Sequence, residues 1–388
     1  MSKWKSVPLK ELTNPVKTWS PAEDFHYIDL GAIDQETKRI EGAKFTKWET
    51  APSRARQLIE EGDVLVSTVR PNLNGVAKVG AEYHDATAST GFCVIRANPQ
   101  LLDSSFLFHW VKSKTFVSEM VKQATGASYP AVSDRIVLGS SIPLPPLTEQ
   151  RRIAAILDKS DALRTKRREA LAELDTLAQS IFFHMFGDPV VSPKNCERSK
   201  LGDVVKTMQY GPRFYNEAYS PSGIRIVRIT DLDASGVLDF ESMPKMEVSS
   251  EMRRQFSLCP GDIVFARTGA TVGKVAIISE SDPECIAGAY FIRLRFGNEI
   301  LPEFAFAVLQ SKPVQALIGK QSRQAAQQNF SGPGLRRLPM PTPALKLQLE
   351  FADRMRELRS QRAAYNGFLT VAEGLFHSLQ YRAFTGDL

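Results

Sequence analysis

The sequence consists of two copies of one unit, and this internal repeat constrains the fold more than any other feature. The first half carries these segments in order: Gly62-Asp63, Lys78-Val79, Ile95-Arg96, Ser113-Lys114 and Ile142-Pro143. The second half carries their counterparts in the same order: Gly261-Asp262, Lys274-Val275, Ile292-Arg293, Ser311-Lys312 and Leu338-Pro339. The offset stays between 195 and 199 residues, about half of the 388-residue chain. Matches that keep both order and spacing predict a duplicated architecture.

Each copy begins with a domain that mixes strands and helices. Residues up to about 140, and again from about 198 to 335, contain short Val/Ile-rich runs separated by Gly, Asn and Pro turns. This pattern is typical of strands joined by tight connections. Apolar residues at helical spacing around 106–122 and 303–320 predict a helix near the end of each domain. The predicted fold class is α+β, with two similar domains.

Each copy ends in a long helix. Thr148 is a suitable N-cap, and Gly187 followed by Pro189 is a suitable stop; the 39 residues from Thr148 to Phe186 include no Gly or Pro. A helix of that length reaches about 58 Å and predicts a spacer. In the second copy, Thr342-Pro343 supplies an N-cap and a proline at the first helical position.

Both long helices carry a heptad pattern that predicts a partner helix. In the first, one position holds Ile153, Ser160, Arg167, Leu174 and Ile181, and the position three residues on holds Ile156, Leu163, Ala170 and Leu177. In the second, the equivalent positions hold Met355, Arg362, Leu369 and Phe376, then Leu358, Tyr365, Ala372 and Leu379. The other copy is the nearest available partner. The alternative is that each helix packs flat on its own domain, because Arg167 and Arg362 interrupt the seam and Gly367 and Gly374 weaken the second helix.

Composition narrows the class of protein. The 49 Lys and Arg residues against 43 Asp and Glu residues leave a net charge of +6, which favours a polyanionic partner. The four cysteines are far apart and form no CxxC pair, so neither a zinc site nor a disulfide framework is indicated. No apolar stretch reaches membrane-spanning length, and the first residues, Met1-Ser2-Lys3-Trp4-Lys5-Ser6-Val7-Pro8, contain no apolar run of the kind found in a secretory leader. We therefore expect a cytoplasmic protein with no membrane partner.

Catalytic motifs are not recognisable. The segment Gly269–Val275 resembles a phosphate-binding loop, but its spacing is one residue short and Val275 replaces the magnesium-binding hydroxyl. It is better interpreted as a strand-turn-strand, with Lys274 placed to touch a nucleic-acid phosphate. Asp63 and Asp262 follow glycines and are interpreted as turn residues. Nothing in the sequence assembles a nucleophile, a base and an oxyanion site, so we expect a non-catalytic protein with no metal site.

Two segments carry a family resemblance. Leu144-Pro145-Pro146-Leu147-Thr148-Glu149-Gln150, followed by the long helix up to Gly187-Asp188-Pro189, resembles the central region of the DNA-specificity subunits of type I restriction-modification systems. Gly261-Asp262-Ile263-Val264-Phe265-Ala266-Arg267-Thr268-Gly269 is similar to the most recurrent stretch of their target recognition domains. With the duplicated layout, the resemblance covers the whole chain.

The resemblance implies a layout of four parts. These are target recognition domain 1 (1–145), a central helix (146–190), target recognition domain 2 (191–337) and a C-terminal helix (338–388). The two helices would form an antiparallel coiled coil about an internal pseudo-two-fold axis.

The resemblance also implies a function. Each domain would read one half of an asymmetric bipartite site in double-stranded DNA. Two modification (methyltransferase) subunits and restriction subunits would assemble on this subunit. No cofactor would bind this chain, whereas S-adenosylmethionine, ATP and magnesium would bind the partner subunits.

Polar loops supply the candidate DNA contacts, since amide and guanidinium groups suit base edges and cationic groups suit phosphates. In the first domain these are Arg70, Asn72, Asn74, Lys78, Ser128 and Tyr129. In the second they are Tyr210, Arg213, Arg267, Thr268, Lys274, Arg323, Gln324, Gln327, Gln328 and Asn329. The run 323–329 could equally be a solvated loop.

The partner contacts that the resemblance implies lie at both ends of the central helix, at Pro145, Pro146, Leu147, Glu149, Gln150, Phe182 and Phe186. The second copy reads Pro341-Thr342-Pro343-Ala344-Leu345-Lys346-Leu347-Gln348 at the matching place, so its helix start has drifted.

Three rival functions fit the same sequence. A stand-alone bipartite DNA-binding regulator would bury the apolar helix end around Phe182 and Phe186 within the chain. A methyltransferase with an unrecognised site would bind S-adenosylmethionine by itself. A scaffold would show no affinity for DNA.

Overall fold

A computed structural model describes residues 3–194, 196–214, 218–322 and 329–388. The chain divides into two compact units: unit 1 comprises Met1–Ala170 and Tyr365–Leu388, and unit 2 comprises Leu171–Ala364. Each unit therefore holds one repeat domain with a segment of each long helix. This division cuts across both helices, whereas the four-part layout expected from the sequence keeps each helix whole.

Most elements follow one another in the same order in the two copies, but a strand at Ala55–Leu58 of the first copy stands where the second has a helix at Ser250–Phe256. The helices are α1 (Ser104–Val111), α2 (Lys114–Gln123), α3 (Asp134–Gly139), α4 (Leu147–Phe186), α5 (Leu201–Val204), α6 (Ser250–Phe256), α7 (Pro302–Gln310), α8 (Lys312–Ser322), α9 (Gly332–Arg336) and α10 (Leu345–Thr385). The strands of the first copy are β1 (Ser6–Pro8), β2 (Thr13–Asn14), β3 (Phe25–Ile28), β4 (Lys44–Thr46), β5 (Ala55–Leu58), β6 (Val64–Ser67), β7 (Val76–Lys78), β8 (Thr87–Ser89), β9 (Phe92–Ala97) and β10 (Ser141–Pro143). The strands that follow are β11 (Gly187–Asp188), β12 (Ser192–Pro193), β13 (Cys196–Glu197), β14 (Val205–Tyr210), β15 (Ile224–Val227), β16 (Lys245–Met246), β17 (Ile263–Ala266), β18 (Val275–Ile277), β19 (Cys285–Ala287), β20 (Phe291–Phe296) and β21 (Thr342–Pro343).

Unit 1 is organised around the four-stranded sheet β2-β9-β6-β7. Side chains alternate between its two faces, as the pleat of a strand requires. Val64 and Val66 of β6 join one apolar cluster with Phe106 of α1, while Leu65 points into a second cluster with Ile28 of β3. The sheet is thus covered by helices on one face and by the second sheet, β4-β3-β8-β5, on the other.

Unit 2 repeats this arrangement with the sheets β14-β20-β17-β18 and β16-β15-β19. Ile263 and Phe265 pack with Phe304 of α7, whereas Val264 packs on the other side with Val227 of β15. The strand-turn-strand interpretation of the Gly269 region is confirmed, because β17 and β18 pair antiparallel on either side of it. No helix follows the loop, so a phosphate-binding loop is excluded.

Within each unit the two helix segments run antiparallel, as expected. In unit 1, Arg164 of α4 lies over the Phe376 ring of α10 at 4.0 Å, and the Arg168 guanidinium pairs with Glu373 at 2.6 Å. In unit 2, Asp175 of α4 pairs with Arg362 of α10 at 3.5 Å. The start of each long helix also packs on its own repeat domain. Each helix therefore does both of the things predicted as alternatives: it packs on its own domain at its start and pairs with the other long helix further along.

The predicted seam of α10 is half-buried along its length and buried at Phe376, but that of α4 needs a correction. Ile153, Ser160, Arg167, Leu174 and Ile181 are buried or half-buried, whereas Leu163 and Leu177, assigned to the other seam position, are 55% and 46% exposed. The second position lies four residues on instead of three, at Leu157, Arg164, Leu171, Ala178 and Met185. Charged and small residues there made the seam hard to recognise from apolar spacing alone.

Two helix starts also differ from expectation. The helix α4 begins at Leu147, one residue before Thr148, because the backbone N–H groups of Glu149 and Gln150 donate to Pro146 O. The pair Thr342-Pro343 does not cap α10 but forms β21, which pairs with β13. Among the described residues, no helix combines the length and apolarity that a membrane span requires.

Candidate nucleic-acid interface

In unit 1, two loops meet at the end of the β6–β7 hairpin. The first loop covers residues 68–75, and the second covers residues 124–131, after α2. They are joined by the backbone, since Arg70 N donates to Pro130 O at 2.7 Å and Val69 bridges Ala131. The fold therefore brings together residues that are separated by about 60 positions in the sequence.

The exposed centre of this loop pair is formed by Arg70 and Tyr129. The Arg70 guanidinium lies 4.7 Å from the centre of the Tyr129 ring, and Tyr129 is 69% exposed. Arg70 adopts the left-handed backbone region, with φ of 51°. Asn72 and Ser128 are exposed on the same two loops. These four predicted residues form one surface.

The other two candidates in this domain make internal contacts. The Asn74 side-chain amide donates to Lys112 O at 3.3 Å, and the backbone carbonyl of Asn74 accepts from Lys38 Nζ at 2.6 Å. Lys78 donates to Ser105 Oγ at 2.7 Å, on the side of α1. Asn74 therefore fixes the end of the loop, and Lys78 lies apart from the Arg70 surface.

The sequence reasoning missed Lys38, which holds this loop in place. Burial, with a smaller effect of the nearby Lys112 charge, lowers the Lys38 pKa to about 8. Its own backbone is also left-handed, with φ of 59°. No periodic pattern marks Lys38, because its partner Asn74 lies 36 residues further along the chain.

Unit 2 forms a comparable surface at the β17–β18 loop. The Arg267 guanidinium lies 4.9 Å from the centre of the Tyr210 ring, and the Tyr210 hydroxyl accepts from Gly332 N at 3.0 Å. Phe330 N donates to Arg267 O at 2.7 Å, and Thr268 bridges Asn329. Four predicted residues, Tyr210, Arg267, Thr268 and Asn329, are thus brought together.

The remaining candidates in this domain are placed differently. Lys274 donates to Leu232 O at 3.2 Å and is half-buried, so its ammonium group serves the fold. Arg213 is exposed in the segment after β14. Arg323, Gln324, Gln327 and Gln328 lie outside the described residues. Tyr290 was not selected from the sequence, and it is 58% exposed. It lies next to Arg267, because the Arg267 backbone N–H donates to Tyr290 O.

The glycine-aspartate pairs are turn residues, as predicted, and each aspartate is also the buried member of an ion pair with an arginine. Asp63 accepts from Glu60 N and is held by Arg96 at 2.9 and 2.8 Å. Asp262 is held in the same way by Arg295 at 2.7 Å for both contacts. Arg96 therefore corresponds to Arg295, and its sequence pairing with Arg293 was wrong by two residues.

The predicted partner-binding residues divide into exposed and internal positions. Pro146 is exposed, and Leu147 and Glu149 are half-buried at the start of α4. Pro145 and Gln150 are buried at the same helix start.

At the other end of α4, Phe182 and Phe186 are 3% and 1% exposed in the core of unit 2, against Phe304 and Phe351. Their assignment as partner contacts is therefore corrected, because apolar packing inside the unit accounts for both rings.

An apolar stripe remains on the helix pair of unit 1. Phe368, Val371 and Leu375 of α10 are 59%, 71% and 50% exposed, at the spacing of one helix face. Exposed apolar side chains on one face mark a binding surface more often than scattered ones do.

The chemistry of the two loop surfaces follows from the side chains that they carry. Across the described ranges, no group of three or more His, Cys, Asp or Glu side chains is placed to hold a metal ion. The two loop surfaces instead display guanidinium, amide and hydroxyl groups on rigid backbone supports. Such groups are suited to hydrogen bonding with base edges and phosphates.

Comparison with protein families locates the same repeat. The model of the family described as "Type I restriction modification DNA specificity domain" matches residues 1–174 and 193–366. One relative is the type I restriction enzyme MjaVIII specificity subunit of Methanocaldococcus jannaschii, which is 26% identical over 67% of this chain. That match spans 64% of the relative, just under two thirds of its length. The EcoKI specificity subunit of Escherichia coli (strain K12) is 22% identical, over 99% of this chain and 89% of that one.

Solved structures show a similar fold over the full length. A chain from a structure described as the basis of complex assembly and conformational transition of the type I R-M system aligns with a TM-score of 0.57 and 25% identity. The alignment covers 99% of this chain and 98% of the other. The type I restriction-modification S subunit from M. genitalium aligns with a TM-score of 0.58 at 15% identity, over 99% of this chain and 96% of that one, and supports the fold alone.

Proposed function

The chain belongs to the type I restriction modification DNA specificity domain family, and from this premise we propose that it is the DNA-specificity subunit of a restriction-modification complex. Each unit recognises one half of a bipartite site in double-stranded DNA. The observation that carries this proposal is the double match of the family model, once over each repeat domain. A protein with two copies of a recognition module is suited to a site with two halves.

The loop surfaces support this role. Phosphate contacts fix the register of a protein on DNA, while side chains that reach base edges determine sequence preference. In unit 1 the exposed groups are Arg70, Asn72 and Ser128. At the matching loops of unit 2, Asn329 is exposed and Arg267 and Thr268 are half-buried. Because these groups differ between the copies, the two half-sites differ in sequence and the full site is asymmetric.

Catalysis belongs to partner subunits in this proposal. Two modification subunits, which use S-adenosylmethionine, and restriction subunits, which use ATP and magnesium, assemble on this chain. The exposed stripe of Phe368, Val371 and Leu375 and the exposed helix start at Pro146 support docking of a partner. The chain itself carries no catalytic activity.

The test is the pattern of adenine methylation in a host that expresses the modification subunit with and without this chain. We expect an interrupted two-part motif that appears only when the chain is present. Soluble co-expression of both subunits without any such motif would refute the proposal. A chain with Phe368→Ser and Leu375→Ser tests the docking surface, since it should lose methylation while retaining its thermal stability.

A stand-alone DNA-binding regulator is the second candidate. The observation that favours it is the burial of Phe182 and Phe186 within unit 2, which leaves that helix end complete without a partner. The isolated chain would then bind its site as tightly as the assembled complex does. Electrophoretic mobility shifts decide between the two candidates. They are measured on DNA that carries the motif identified by methylation, with and without the modification subunit.

A further inference from the structure

Each unit presents one arginine stacked on one tyrosine at the tip of its central hairpin. The distances from guanidinium carbon to ring centre are 4.7 Å for Arg70 and Tyr129 and 4.9 Å for Arg267 and Tyr210. Across the described parts of the chain, neither guanidinium pairs with a carboxylate or donates a hydrogen bond to another side chain. The two guanidinium groups are therefore held in place by the tyrosine rings and remain available to bind a partner.

The two stacked pairs come from different positions of the repeat. Thr68 N donates to Gly91 O in unit 1, and Arg267 N donates to Tyr290 O in unit 2, so Arg267 corresponds to Thr68 and not to Arg70. Tyr129 lies in the loop after α2, whereas Tyr210 ends β14. Inheritance from a duplicated ancestor does not account for the shared arrangement, because the residues are not equivalent. A shared requirement of the bound partner does account for it.

The backbone of Arg70 supports the same conclusion. By the same register, Arg70 corresponds to Gly269, and both residues adopt the left-handed region, with φ of 51° and 70°. Glycine adopts this region without strain, whereas an arginine does not. Residues held in such a conformation concentrate at functional sites. Unit 1 thus has an arginine at a position where the equivalent residue of unit 2, Gly269, is a glycine.

Stacking determines what these arginines can contact. Each guanidinium lies over its tyrosine ring, and the N–H groups at its edge remain available to a partner, except for Arg267 Nε, which is buried and has no hydrogen-bond partner among the described residues. A planar fork of this kind matches the O6 and N7 acceptors of guanine in the major groove, the commonest specific contact between arginine and DNA. A lysine supplies similar charge to a phosphate but lacks the fork.

We propose that Arg70 and Arg267 each read one guanine, one in each half of the DNA site, and that Tyr129 and Tyr210 hold their guanidinium groups in the reading orientation. This inference rests on the proposed function. It further requires that both half-sites contain a guanine. The tyrosines are positioning residues, because they act through the arginines.

The experiment is to map adenine methylation in the DNA of a host that expresses the assembled complex, with either Arg70→Lys or Arg267→Lys in this chain. We expect each variant to relax one guanine position of one half-site, with a roughly tenfold to hundredfold loss of discrimination there, and to leave the other half-site unchanged. Tyr129→Ala and Tyr210→Ala should relax the same two positions. Arg253→Lys is the matched control, since Arg253 is exposed but its fork is already bound to Glu284.

The outcomes separate this inference from the function on which it rests. If the wild-type complex shows no two-part motif, the proposed function fails. If the motif appears but a half-site has no guanine, or if the lysine variants keep full discrimination, the reading of guanine fails. A uniform loss of methylation at every position, with soluble and assembled protein, would identify phosphate contacts and would also overturn it. Arg70→Gly, which relieves the backbone, provides a second variant with the same expected relaxation.

Discussion

Gln150 and Gln348 make the same three hydrogen bonds in the two copies of the repeat. The Gln150 amide donates to Leu101 O and Pro145 O, and its oxygen accepts from Asp103 N. Gln348 donates to Glu299 O and Pro343 O and accepts from Leu301 N. Both side chains are almost completely buried, at 1% and 0% exposed. Each long helix is thus fastened to its own repeat domain by one amide at its first turn.

We expect Gln150→Ala and Gln348→Ala each to lower the free energy of unfolding by about 2–3 kcal/mol, because each leaves buried backbone groups without partners. Urea denaturation of the full chain measures the effect. Gln179→Ala is the control, since Gln179 is exposed on α4 and its loss should change stability by less than about 0.5 kcal/mol. Equal stabilities of the three variants would contradict the fastening role.

The buried ion pairs lead to a second prediction. Asp63→Ala and Asp262→Ala should each destabilise the chain by about 1–3 kcal/mol, because each removes a buried carboxylate that accepts from a backbone N–H and from an arginine. Arg96 keeps its contact with Glu60, and Arg295 is partly exposed. Asp353→Ala removes an exposed partner of Arg356 and should cost less than about 1 kcal/mol. Thermal unfolding compares the three variants. A similar shift for Asp353→Ala and Asp63→Ala would show that burial is not the cause.

Two glycines of α10 offer a stabilising change. A Cβ at Gly367 or Gly374 would meet nothing within 4 Å, so alanine fits at both positions. Each substitution should raise stability by up to about 1 kcal/mol through helix propensity alone. Denaturant midpoints test this, with Gly269→Ala as the contrasting variant, because its φ of 70° is unfavourable for alanine. A loss of stability in Gly367→Ala would mean that this part of the helix is not formed.

Stability should fall in mild acid because of His109. Burial lowers the pKa of His109 below its usual 6.5, and the Lys112 charge adds to this, while the hydrogen bond to Asp158 opposes it. The unfolded chain therefore binds a proton at higher pH than the folded chain does. The contribution is present in full above pH 6.5 and is lost as the pH falls through the folded pKa.

The pKa of His377 is lowered too, first by partial burial of its ring, so it acts in the same direction. Asp158 and Asp161 have pKa values lowered from 3.8 and respond only in stronger acid. Melting temperatures between about pH 7.5 and 5 measure the slope. We expect His109→Gln to reduce the slope, and Gln179→Ala, which removes an exposed side chain without a titratable group, to leave it unchanged. An unaltered slope in His109→Gln would exclude His109 as the cause.

Some features could be predicted because they depend on residues close together along the chain. The duplication, the two long helices and the seam of α10 follow from order, spacing and periodicity. The turn at Gly62-Asp63 follows from the same local chemistry. The loops that carry Arg70 and Arg267 were also identified in this way, since turn residues and polar side chains cluster there.

Other features were decided only by the tertiary structure, because they depend on contacts between residues that are far apart in sequence. Tyr129 is placed under Arg70 by a bridge between two loops, and Lys38 reaches Asn74 across 36 positions. Phe182 was expected at a surface because its apolar character alone does not reveal which neighbour covers it. Local patterns determined that this protein has two copies of a domain and two helices. Packing between distant segments decided which charged and aromatic side chains remained free to bind.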